Sequence, residues 1–357
     1  MFRILYIAYP LLTVSEESAG GAEQVLWTLE QEMAAQGITT AVAASAGSRV
    51  SGALCSTGAA CTQPDDFERR NHEHQERAIE FARAGQFDLV HDQSGSFWPR
   101  AREIDMLVLA TLHLPRHFYP ANCFVDLPAN VSFNCVSASQ AREFSDLKSS
   151  PAVVPNGILL ERFQPSFEVR NGWLWLGRIC EEKGPHLALD IAAHSGLPIT
   201  LAGQIYPFTY HQQYFEREIA PRLAKMPSAT WIPSPSSSQK RRLLREARAV
   251  LITSLVDETS SLVAMEAAAS GTPVIAFRRG ALAGIIQDGV TGFVVEGVDE
   301  AIQAMSKIEH IKPEACVRYA QEHFSSRAMA QEYATIYDRL LQLDHSPSSP
   351  HRRPLSC

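Results

Sequence analysis

The chain has 357 residues, of which 45% are hydrophobic and 20% charged, with a formal net charge of -7. This length exceeds one ordinary domain, and the composition is typical of a globular protein with two apolar cores. The acidic balance, without long basic runs, argues against a nucleic-acid partner and predicts at most peripheral contact with a membrane.

The cysteines and the N-terminus both predict a soluble cytoplasmic protein. Seven cysteines are scattered along the chain without a C-x-x-C pair, which is typical of reduced thiols. The apolar start MFRILYIAYPLL breaks at Pro10 and runs into an acidic loop, so we predict a buried first strand and no signal peptide. No segment reaches the length of about 20 apolar residues that a membrane-spanning helix needs.

A glycine pair follows the first predicted strand. Gly20 and Gly21 precede the helical pattern VLWTLEQEMAAQG, and the apolar run TTAVAAS predicts the next strand. Glycines at such a turn let the backbone approach a ligand, although a flexible loop is the commoner use of the same pair.

Two later strands of the first half end near histidines. The run FDLVHDQSG contains His91 and Gln93, and MLVLATLHLP ends at His113. The carboxyl ends of parallel strands are where α/β proteins form ligand sites. A lone histidine is often structural, so a ligand contact and a structural role both stay open for the two imidazoles.

The second half opens with a predicted turn and a strand followed by cations. The segment VVPNGILLERFQP contains the turn Asn156-Gly157, and the strand WLWLG leads into a loop with Arg178 and Lys183. A further strand, PITLAGQ, ends at Gly203. Cations at a strand end can stabilise negative charge that develops on a phosphate, and ordinary surface cations are the alternative.

Two glutamates frame the next strand end. The run AVLITS predicts a buried strand, Glu258 lies in the loop after it, and a hydroxyl cluster then caps a helix from about Ser261 to Ala269. The N-terminus of a helix favours an anion. Glu266 lies inside this otherwise apolar helix, where it either has a buried partner or accepts hydrogen bonds from sugar hydroxyls.

The spacing of Glu258 and Glu266, followed by GTPVIA and DGVTGFVV, resembles the donor-binding segment of the family 4 glycosyltransferases. These are retaining enzymes of the GT-B fold. The glycine pair, the strand-end histidines, VVPNG and the Arg178 to Gly184 loop follow in that family's order. The resemblance implies an α/β protein with two Rossmann-like doubly wound domains that face each other across a cleft.

The resemblance also implies domain bounds. An acceptor-side domain is expected over 1–165 and a nucleotide-sugar domain over 166–324, and the helix at about 325–343 is expected to pack back on the first domain. The Pro/Ser-rich tail, 344–357, is predicted to be disordered.

Roles of individual residues follow from the same resemblance. Arg178 and Lys183 would bind the diphosphate, Glu258 the transferred sugar and Glu266 the ribose, while His113 would contact the sugar or its phosphate. The predicted catalytic residues are His113, Arg178, Lys183 and Glu258. The predicted donor-binding residues are Gly20, Gly21, Arg178, Lys183, Gly203, Glu258, Thr259, Ser260, Ser261 and Glu266. His91 and Gln93 are candidate contacts to the acceptor or the sugar.

The expected reaction is retaining transfer of a sugar from a nucleotide-diphosphate sugar to a hydroxyl of a small-molecule, glycan or lipid-linked acceptor. No metal site and no cofactor besides this co-substrate are predicted, and the chain has no Asp-x-Asp. One alternative is a non-catalytic nucleotide-sugar-binding protein, because Thr259-Ser260-Ser261 and Ala283-Gly284 replace the family's usual residues. A phosphorylase or epimerase on the same fold is another. The sugar, the base, the acceptor and the oligomeric state stay open.

Overall fold

The computed structural model describes residues 2–61, 63–120, 122–168 and 170–344. All but the first residue of the tail predicted to be disordered, 344–357, therefore lies outside the described residues. The chain divides into two compact units. Unit 1 comprises Met1–Asn156 with Ser326–Cys357, and unit 2 comprises Gly157–Ser325.

Unit 1 is built on one parallel sheet. In the described part of this unit, the strands are β1 Arg3–Ile7, β2 Thr39–Ala44, β3 Ala53–Ser56, β4 Leu89–Asp92, β5 Leu107–Leu112, β6 Val131–Cys135 and β7 Ala152–Val153. Their order in the sheet is β3-β2-β1-β4-β5-β6-β7. The helices are α1 Gly21–Ala35, α2 Phe67–Ala84, α3 Ala138–Glu143 and, from the end of the chain, α12 Ser326–Asp344.

The core of unit 1 follows from strands that are apolar on both faces, as expected when helices cover a parallel sheet on either side. Leu5, Ile7 and Val90 are fully buried in the central strands. Helix α12 packs beside α1, and its Tyr333 and Tyr337 are also fully buried. The last helix of the chain therefore completes the hydrophobic core of the unit that contains the first strand.

Unit 2 repeats the plan with a second parallel sheet. Its described strands are β8 Trp173–Leu176, β9 Ile199–Ala202, β10 Ala229–Ile232, β11 Ala249–Ile252, β12 Val274–Phe277 and β13 Gly292–Val295. Their order is β10-β9-β8-β11-β12-β13. The helices are α4 Pro185–Ala193, α5 Thr209–Tyr214, α6 Ala220–Lys225, α7 Ser237–Glu246, α8 Leu262–Ala269, α9 Leu282–Ile285, α10 Val298–Met305 and α11 Pro313–His323.

Each sheet has a point at which the strand order reverses. In unit 1 the chain leaves β1 for β2 on one side, and β4 later pairs with the other side of β1. In unit 2, β8 pairs with β9 and with β11 in the same way. Open α/β sheets bind ligands beside such switch points, at the carboxyl ends of the strands. The loops after β8 and β11 are therefore the natural place for a site in unit 2.

The boundary between the two units lies earlier in the chain than predicted. Unit 2 begins at Gly157, earlier than the predicted start at 166. The backbone N–H of Ile158 donates to the carbonyl of Phe324 at 2.9 Å, and Leu160 and Phe163 pack against the core of unit 2. These contacts join the segment after the Asn156-Gly157 turn to unit 2, and the chain re-enters unit 1 at Ser326.

Other differences concern short elements. The strands β3 and β7 and the helices α9 and α11 were not predicted. The segment HQQYFEREIAPRL, predicted as one helix, consists of α5, a π-helical turn at Phe215–Ile219 and α6. Pro221 lies in the first turn of α6, where its missing N–H interrupts the regular hydrogen-bond ladder. Within the described ranges, no helix is both long and apolar enough to cross a bilayer.

Candidate functional site

Two loops of unit 2 meet at the switch point of its sheet. One follows β8 and carries Arg178 and Lys183, and the other follows β11 and carries Glu258. The backbone N–H of Leu255 donates to the carbonyl of Glu182 at 2.8 Å. The hydroxyl of Thr253 donates to the carbonyl of Gly184 at 2.7 Å. The structure thus brings together two predicted segments that are remote in the sequence.

Gly184 is required where these loops touch. Its φ of 61° lies in the left-handed region, and a Cβ there would collide with the carbonyl oxygen of Thr253. Glycine has no Cβ and adopts this backbone conformation without strain. The chain therefore turns from the Lys183 loop into α4 in direct contact with the end of β11.

Lys183 and Glu258 form an ion pair at this meeting point. The Lys183 Nζ donates to both carboxylate oxygens of Glu258, at 2.6 and 2.7 Å, and the hydroxyl of Ser254 also donates to Glu258. The Glu258 side chain is only 11% exposed and that of Lys183 29%. Sequence reasoning assigned these residues to a diphosphate and a sugar separately and did not predict that they pair. Ser254, which helps to hold the carboxylate, was missed.

Glu266 has its own lysine. It lies in α8 with its side chain 5% exposed, and the Nζ of Lys240 in α7 donates to it at 2.7 Å. This contact supplies the partner that a buried carboxylate needs, while each carboxylate can accept several hydrogen bonds. Sequence reasoning missed Lys240, because the sequence does not show which of the several cations in α7 faces Glu266 in α8.

Arg178 lies on the exposed side of the loop after β8. Its guanidinium carbon is 5.3 Å from the ring centre of Tyr206, in the loop after β9. A cation over an aromatic face is attracted by the electron-rich ring. Tyr206 therefore orients Arg178, and no signal in the sequence indicated this stacking.

Gly203 lies at the end of β9 with a φ of 149°, and a Cβ there would overlap the backbone of Gly177. Its carbonyl oxygen accepts a hydrogen bond from the indole N–H of Trp231 at 3.0 Å. Close packing of two loops thus explains this glycine by itself.

The hydroxyl cluster lies at the start of α8. Ser261 is the N-cap, and its hydroxyl accepts from the backbone N–H of Ala264 at 3.3 Å. The hydroxyl of Ser260 is buried without a hydrogen-bond partner among the residues that the structure describes. Such a group is costly unless something satisfies it. Ser260 thus has hydrogen-bonding capacity beside Thr259 and Glu258.

In unit 1 the predicted glycines lie at the start of α1. Gly20 is the N-cap of this helix, and a Cβ on it would collide with the carboxylate of Glu23. Glu23 is itself only 5% exposed. Gly20 therefore leaves room for this carboxylate, and Gly21 is the first residue of the helix.

The strand-end histidines have different surroundings. The Nε2 of His113 lies 2.6 Å from the side-chain oxygen of Gln93, and the Gln93 nitrogen lies 2.9 Å from the Nε2 of His91. His113 is half-buried, and burial lowers its pKa to about 4. At neutral pH its imidazole is therefore uncharged and can act as a hydrogen-bonding group.

The prediction that His91 touches an acceptor or a sugar is corrected by its burial. His91 is 0% exposed and Gln93 1%. The two ring nitrogens of His91 lie 2.7 Å from the hydroxyls of Tyr337 and Thr111. Helix α12, remote in the sequence, covers the strand on this side. Gln93 is likewise a buried link between the two imidazoles rather than a surface contact.

One group of side chains in the described part of the chain has the composition of a metal site. It consists of Cys180 and Glu182 in the loop after β8 and His211 in α5. No motif with metal-ligand spacing joins these residues in the sequence, so sequence reasoning missed this group.

Comparison with solved structures identifies the fold. The chain matches AviGT4, a glycosyltransferase involved in avilamycin A biosynthesis, with a TM-score of 0.73 and 22% identity over 96% of this chain and 98% of that one. It matches sucrose-phosphate synthase from Thermosynechococcus elongatus with a TM-score of 0.80 and 17% identity, over 96% and 100% of the two chains. Two parallel sheets with these matches define the GT-B fold, which confirms the predicted fold class.

A family similarity lies in the sequence of unit 2. Residues 161–323 match the family model described as glycosyl transferases group 1, which supports the resemblance to a GT-B glycosyltransferase. A D-inositol 3-phosphate glycosyltransferase of Mycolicibacterium smegmatis is 32% identical over 183 residues, covering 50% of this chain and 42% of that protein. The chain therefore aligns with less than half the length of this curated relative.

Proposed function

We propose that this protein is a retaining glycosyltransferase that moves a sugar from a nucleotide-diphosphate sugar to an acceptor hydroxyl without a divalent metal at the diphosphate. The observation that carries the proposal is the Lys183–Glu258 pair at the switch point of unit 2. It presents a cation and a carboxylate together at the carboxyl ends of β8 and β11, and a donor substrate needs both groups there.

Lys183 and Arg178 would act on the leaving group. When the bond between the anomeric carbon and the diphosphate oxygen breaks, negative charge grows on the diphosphate. Cations placed in advance stabilise this charge more than they stabilise the ground state. Without a donor, Glu258 neutralises Lys183 and holds its ammonium in place. One of the three N–H groups of an ammonium then remains for a phosphate oxygen.

The two glutamates would bind different parts of the donor. Glu258 would accept hydrogen bonds from the hydroxyls of the transferred sugar, and Glu266 from those of the ribose. Glu266, buried and paired with Lys240, is already oriented before a donor binds. Ser260, two residues after Glu258, offers an additional buried hydroxyl.

For retention, the acceptor oxygen would attack the anomeric carbon on the face that the diphosphate leaves. The bond to the acceptor forms, the bond to the diphosphate oxygen breaks, and the acceptor proton passes to the departing phosphate oxygen. His113, neutral at pH 7, would donate or accept a hydrogen bond at the sugar or its phosphate. The transfer then needs no cofactor besides the nucleotide sugar.

The relatives suggest which substrates to test first. One neighbour with the same fold, Anabaena HepE, was solved in complex with UDP-glucose, with a TM-score of 0.74 and 15% identity. The curated relatives are named D-inositol 3-phosphate glycosyltransferases. A UDP-sugar donor and a phosphorylated cyclitol acceptor are therefore the first pair, and other sugars and acceptors follow.

The test has two stages. A thermal-shift screen against nucleotide sugars finds the donor, because a ligand that binds only the folded protein raises its apparent stability. Transfer to inositol phosphate, glycan and lipid-linked acceptors is then followed by mass spectrometry, and the anomeric configuration of the product by NMR. A product with inverted configuration would contradict the retaining mechanism. Donor binding without transfer and without donor hydrolysis would contradict the proposal that the protein is an enzyme.

One observation favours a second candidate, a protein that binds nucleotide sugars without transferring them. The carboxylate and the cation at the switch point satisfy each other, and the loop beside them carries hydroxyl side chains at Thr259 and Ser260. Slow release of free nucleotide from the bound donor separates the two functions, since only the enzyme catalyses it.

A further inference from the structure

Three potential metal ligands converge in unit 2 from the loop between β8 and α4, here called the donor loop, and from α5. Cys180 and Glu182 lie in the loop between β8 and α4, and His211 lies in α5. The Sγ atom, a carboxylate oxygen and a ring nitrogen lie within 4.8 Å of one another. With bonds of about 2.0 to 2.3 Å, three such atoms can reach one ion once small side-chain rotations bring them closer together.

The imidazole of His211 is the most telling member of the group. Its side chain is 0% exposed, and neither ring nitrogen has a hydrogen-bond partner among the residues covered by the structure. Rings of Tyr206, Phe208 and Tyr210 surround it. Buried polar groups are almost always satisfied. A pair of unsatisfied nitrogens in an aromatic setting therefore indicates a ligand.

The other two groups agree with this interpretation. Cys180 is 0% exposed, and its sulfur contacts the carbonyl of Arg178 at 3.6 Å and the carboxylate of Glu182 within the same group. One carboxylate oxygen of Glu182 is buried and, in the described ranges, has no hydrogen-bond partner. Each of the three residues thus directs an incompletely satisfied ligand atom into the same small space.

We propose that Cys180, Glu182 and His211 form a zinc site. A thiolate, an imidazole and a carboxylate together favour Zn²⁺ over Mg²⁺ or Ca²⁺, which prefer oxygen ligands. Cys180 binds as the thiolate, so its proton is released to solvent when the ion enters. Three protein ligands complete three corners of a tetrahedron, and a water molecule takes the fourth.

The site would fasten the donor loop. Cys180 and Glu182 lie between Arg178 and Lys183, and His211 belongs to the next crossover. An ion bound to all three therefore fixes the middle of the loop against α5. This positioning role rests on the proposed function, whereas zinc binding itself is measured without a donor or turnover.

The experiment measures zinc in the full chain. The protein is produced in zinc-supplemented medium and passed over a chelating resin, and its zinc content is determined by mass spectrometry. Replacement by Co²⁺ adds a reporter, because a cobalt–thiolate bond gives a charge-transfer band in the near ultraviolet. We expect about one equivalent of zinc per chain and this band in the cobalt form.

Matched variants locate the ion. Cys180→Ser and His211→Gln should each weaken zinc binding by more than about 100-fold, since even indirect supporting groups contribute 10–100-fold. Cys316→Ser removes another buried thiol of unit 2 and His186→Gln a nearby imidazole, and neither should change zinc content. If circular dichroism shows that the other variants misfold, Glu182→Gln replaces them as the test of the site, because this position is only half-buried.

Three outcomes would overturn the proposal. They are a wild-type protein without stoichiometric zinc, a cobalt form without the charge-transfer band, or a folded Cys180→Ser variant that binds zinc like the wild type. Loss of transfer activity with an intact zinc site would instead contradict the proposed function alone.

Discussion

At the scale of single residues, each candidate carboxylate of unit 2 is paired with a lysine from another loop or helix. Glu258 pairs with Lys183 and Glu266 with Lys240. A buried carboxylate without a counterpart costs several kcal/mol, so these pairs are needed before any donor is present. Hydroxyls of a sugar can then join the remaining lone pairs of an already ordered carboxylate.

The two glutamates should respond differently to removal. Glu266→Ala should raise the donor KM with little change in kcat, because the proposed ribose contacts would exist before and during the reaction. Glu258→Ala should mainly lower kcat, because the proposed contact of its carboxylate with the reacting sugar would matter most as positive charge builds at the anomeric carbon. A charge-assisted hydrogen bond contributes about 1.5 to 3 kcal/mol, so each constant should change by roughly tenfold to a hundredfold or somewhat more.

Steady-state kinetics of both variants, with circular dichroism as the folding control, checks this assignment. An unchanged donor KM for Glu266→Ala would show that the role of this glutamate is structural alone. If neither substitution changes donor turnover, both glutamates have only structural roles.

Lys240→Ala should destabilise unit 2 and weaken donor binding together. The substitution leaves the Glu266 carboxylate buried without its ammonium, and breaking a buried pair costs about 3 to 5 kcal/mol. The neighbouring Arg242→Ala is the control, because that side chain is 58% exposed and should change stability by less than about 0.5 kcal/mol. Equal denaturation midpoints for the two variants would contradict the role given to Lys240.

At the scale of elements, α12 connects the end of the chain to the first sheet through buried hydroxyls. The Tyr337 hydroxyl lies 2.7 Å from the Nδ1 of His91, and Asn134 donates to the hydroxyl of Tyr333 at 3.0 Å. His91 in turn reaches His113 through Gln93. The helix therefore sets the position of an imidazole that was predicted to act in catalysis.

Tyr337→Phe tests this connection with the loss of a single oxygen. It leaves a buried nitrogen of His91 without a partner, which costs about 1 to 3 kcal/mol. For a unit of this size, 1 kcal/mol lowers Tm by about 2 to 4 °C. Asp338→Asn, next to it on the exposed face of α12, should leave Tm unchanged. Calorimetry measures the Tm of both variants. A Tyr337→Phe protein with the wild-type Tm would show that this hydrogen bond does not contribute to stability.

At the scale of the whole molecule, buried histidines make unit 1 sensitive to acid. Burial lowers the pKa of His74 and of His113 to about 4, and it lowers the pKa of His91 well below its usual range. In the unfolded chain these groups take up protons near pH 6.5. Their contribution to stability is therefore complete above pH 6.5 and is lost as the pH falls toward 4.

Asp92 has the opposite effect on folding stability as the pH falls. Burial raises its pKa to about 6, against hydrogen bonds from Ser94, Trp98 and Phe97 that lower it. Between pH 6 and 3.8 the folded state binds this proton more readily, so Asp92 stabilises the folded protein as the pH falls. Three histidines against one aspartate leave a net loss of stability toward acid, and each unbalanced proton is worth about 1.4 kcal/mol per pH unit.

We therefore expect unit 1 to unfold at a lower denaturant concentration at pH 5 than at pH 7, as measured by fluorescence of its buried Trp98. His74→Gln should flatten this pH dependence, whereas His72→Gln, at an exposed position of the same helix, should not. A wild-type midpoint that is constant between pH 7 and 5 would contradict the burial of neutral imidazoles as the cause.

The response of transfer activity to metal ions tests metal-independent transfer and the zinc site separately. If Arg178 and Lys183 supply the positive charge at the diphosphate as proposed, transfer should neither need nor be stimulated by Mg²⁺ or Mn²⁺, and any loss in EDTA should be one that Zn²⁺ restores. Activity that falls in EDTA and returns only with Zn²⁺ would identify the Cys180 site. Activity that returns with Mg²⁺ or Mn²⁺ would contradict metal-independent transfer.

The sequence by itself determined the alternation of strands and helices, the GT-B class and the loops in which the candidate residues lie. These features depend on local patterns. Apolar runs define buried strands, hydroxyls such as that of Ser261 cap helices, and the loops after β8 and β11 follow directly from where those strands end. The E-x7-E spacing of Glu258 and Glu266 also lies within one short segment.

Only the tertiary structure decided which side chains meet. Lys183 with Glu258, Lys240 with Glu266, His91 beneath Tyr337, and Cys180 with His211 are contacts between segments remote in the sequence. Strand order and helix packing choose these partners, and a local period of 2.0 or 3.6 residues contains no information about either. The same reason explains why the domain boundary moved to Asn156-Gly157, since the contact of Ile158 with Phe324 fixes it.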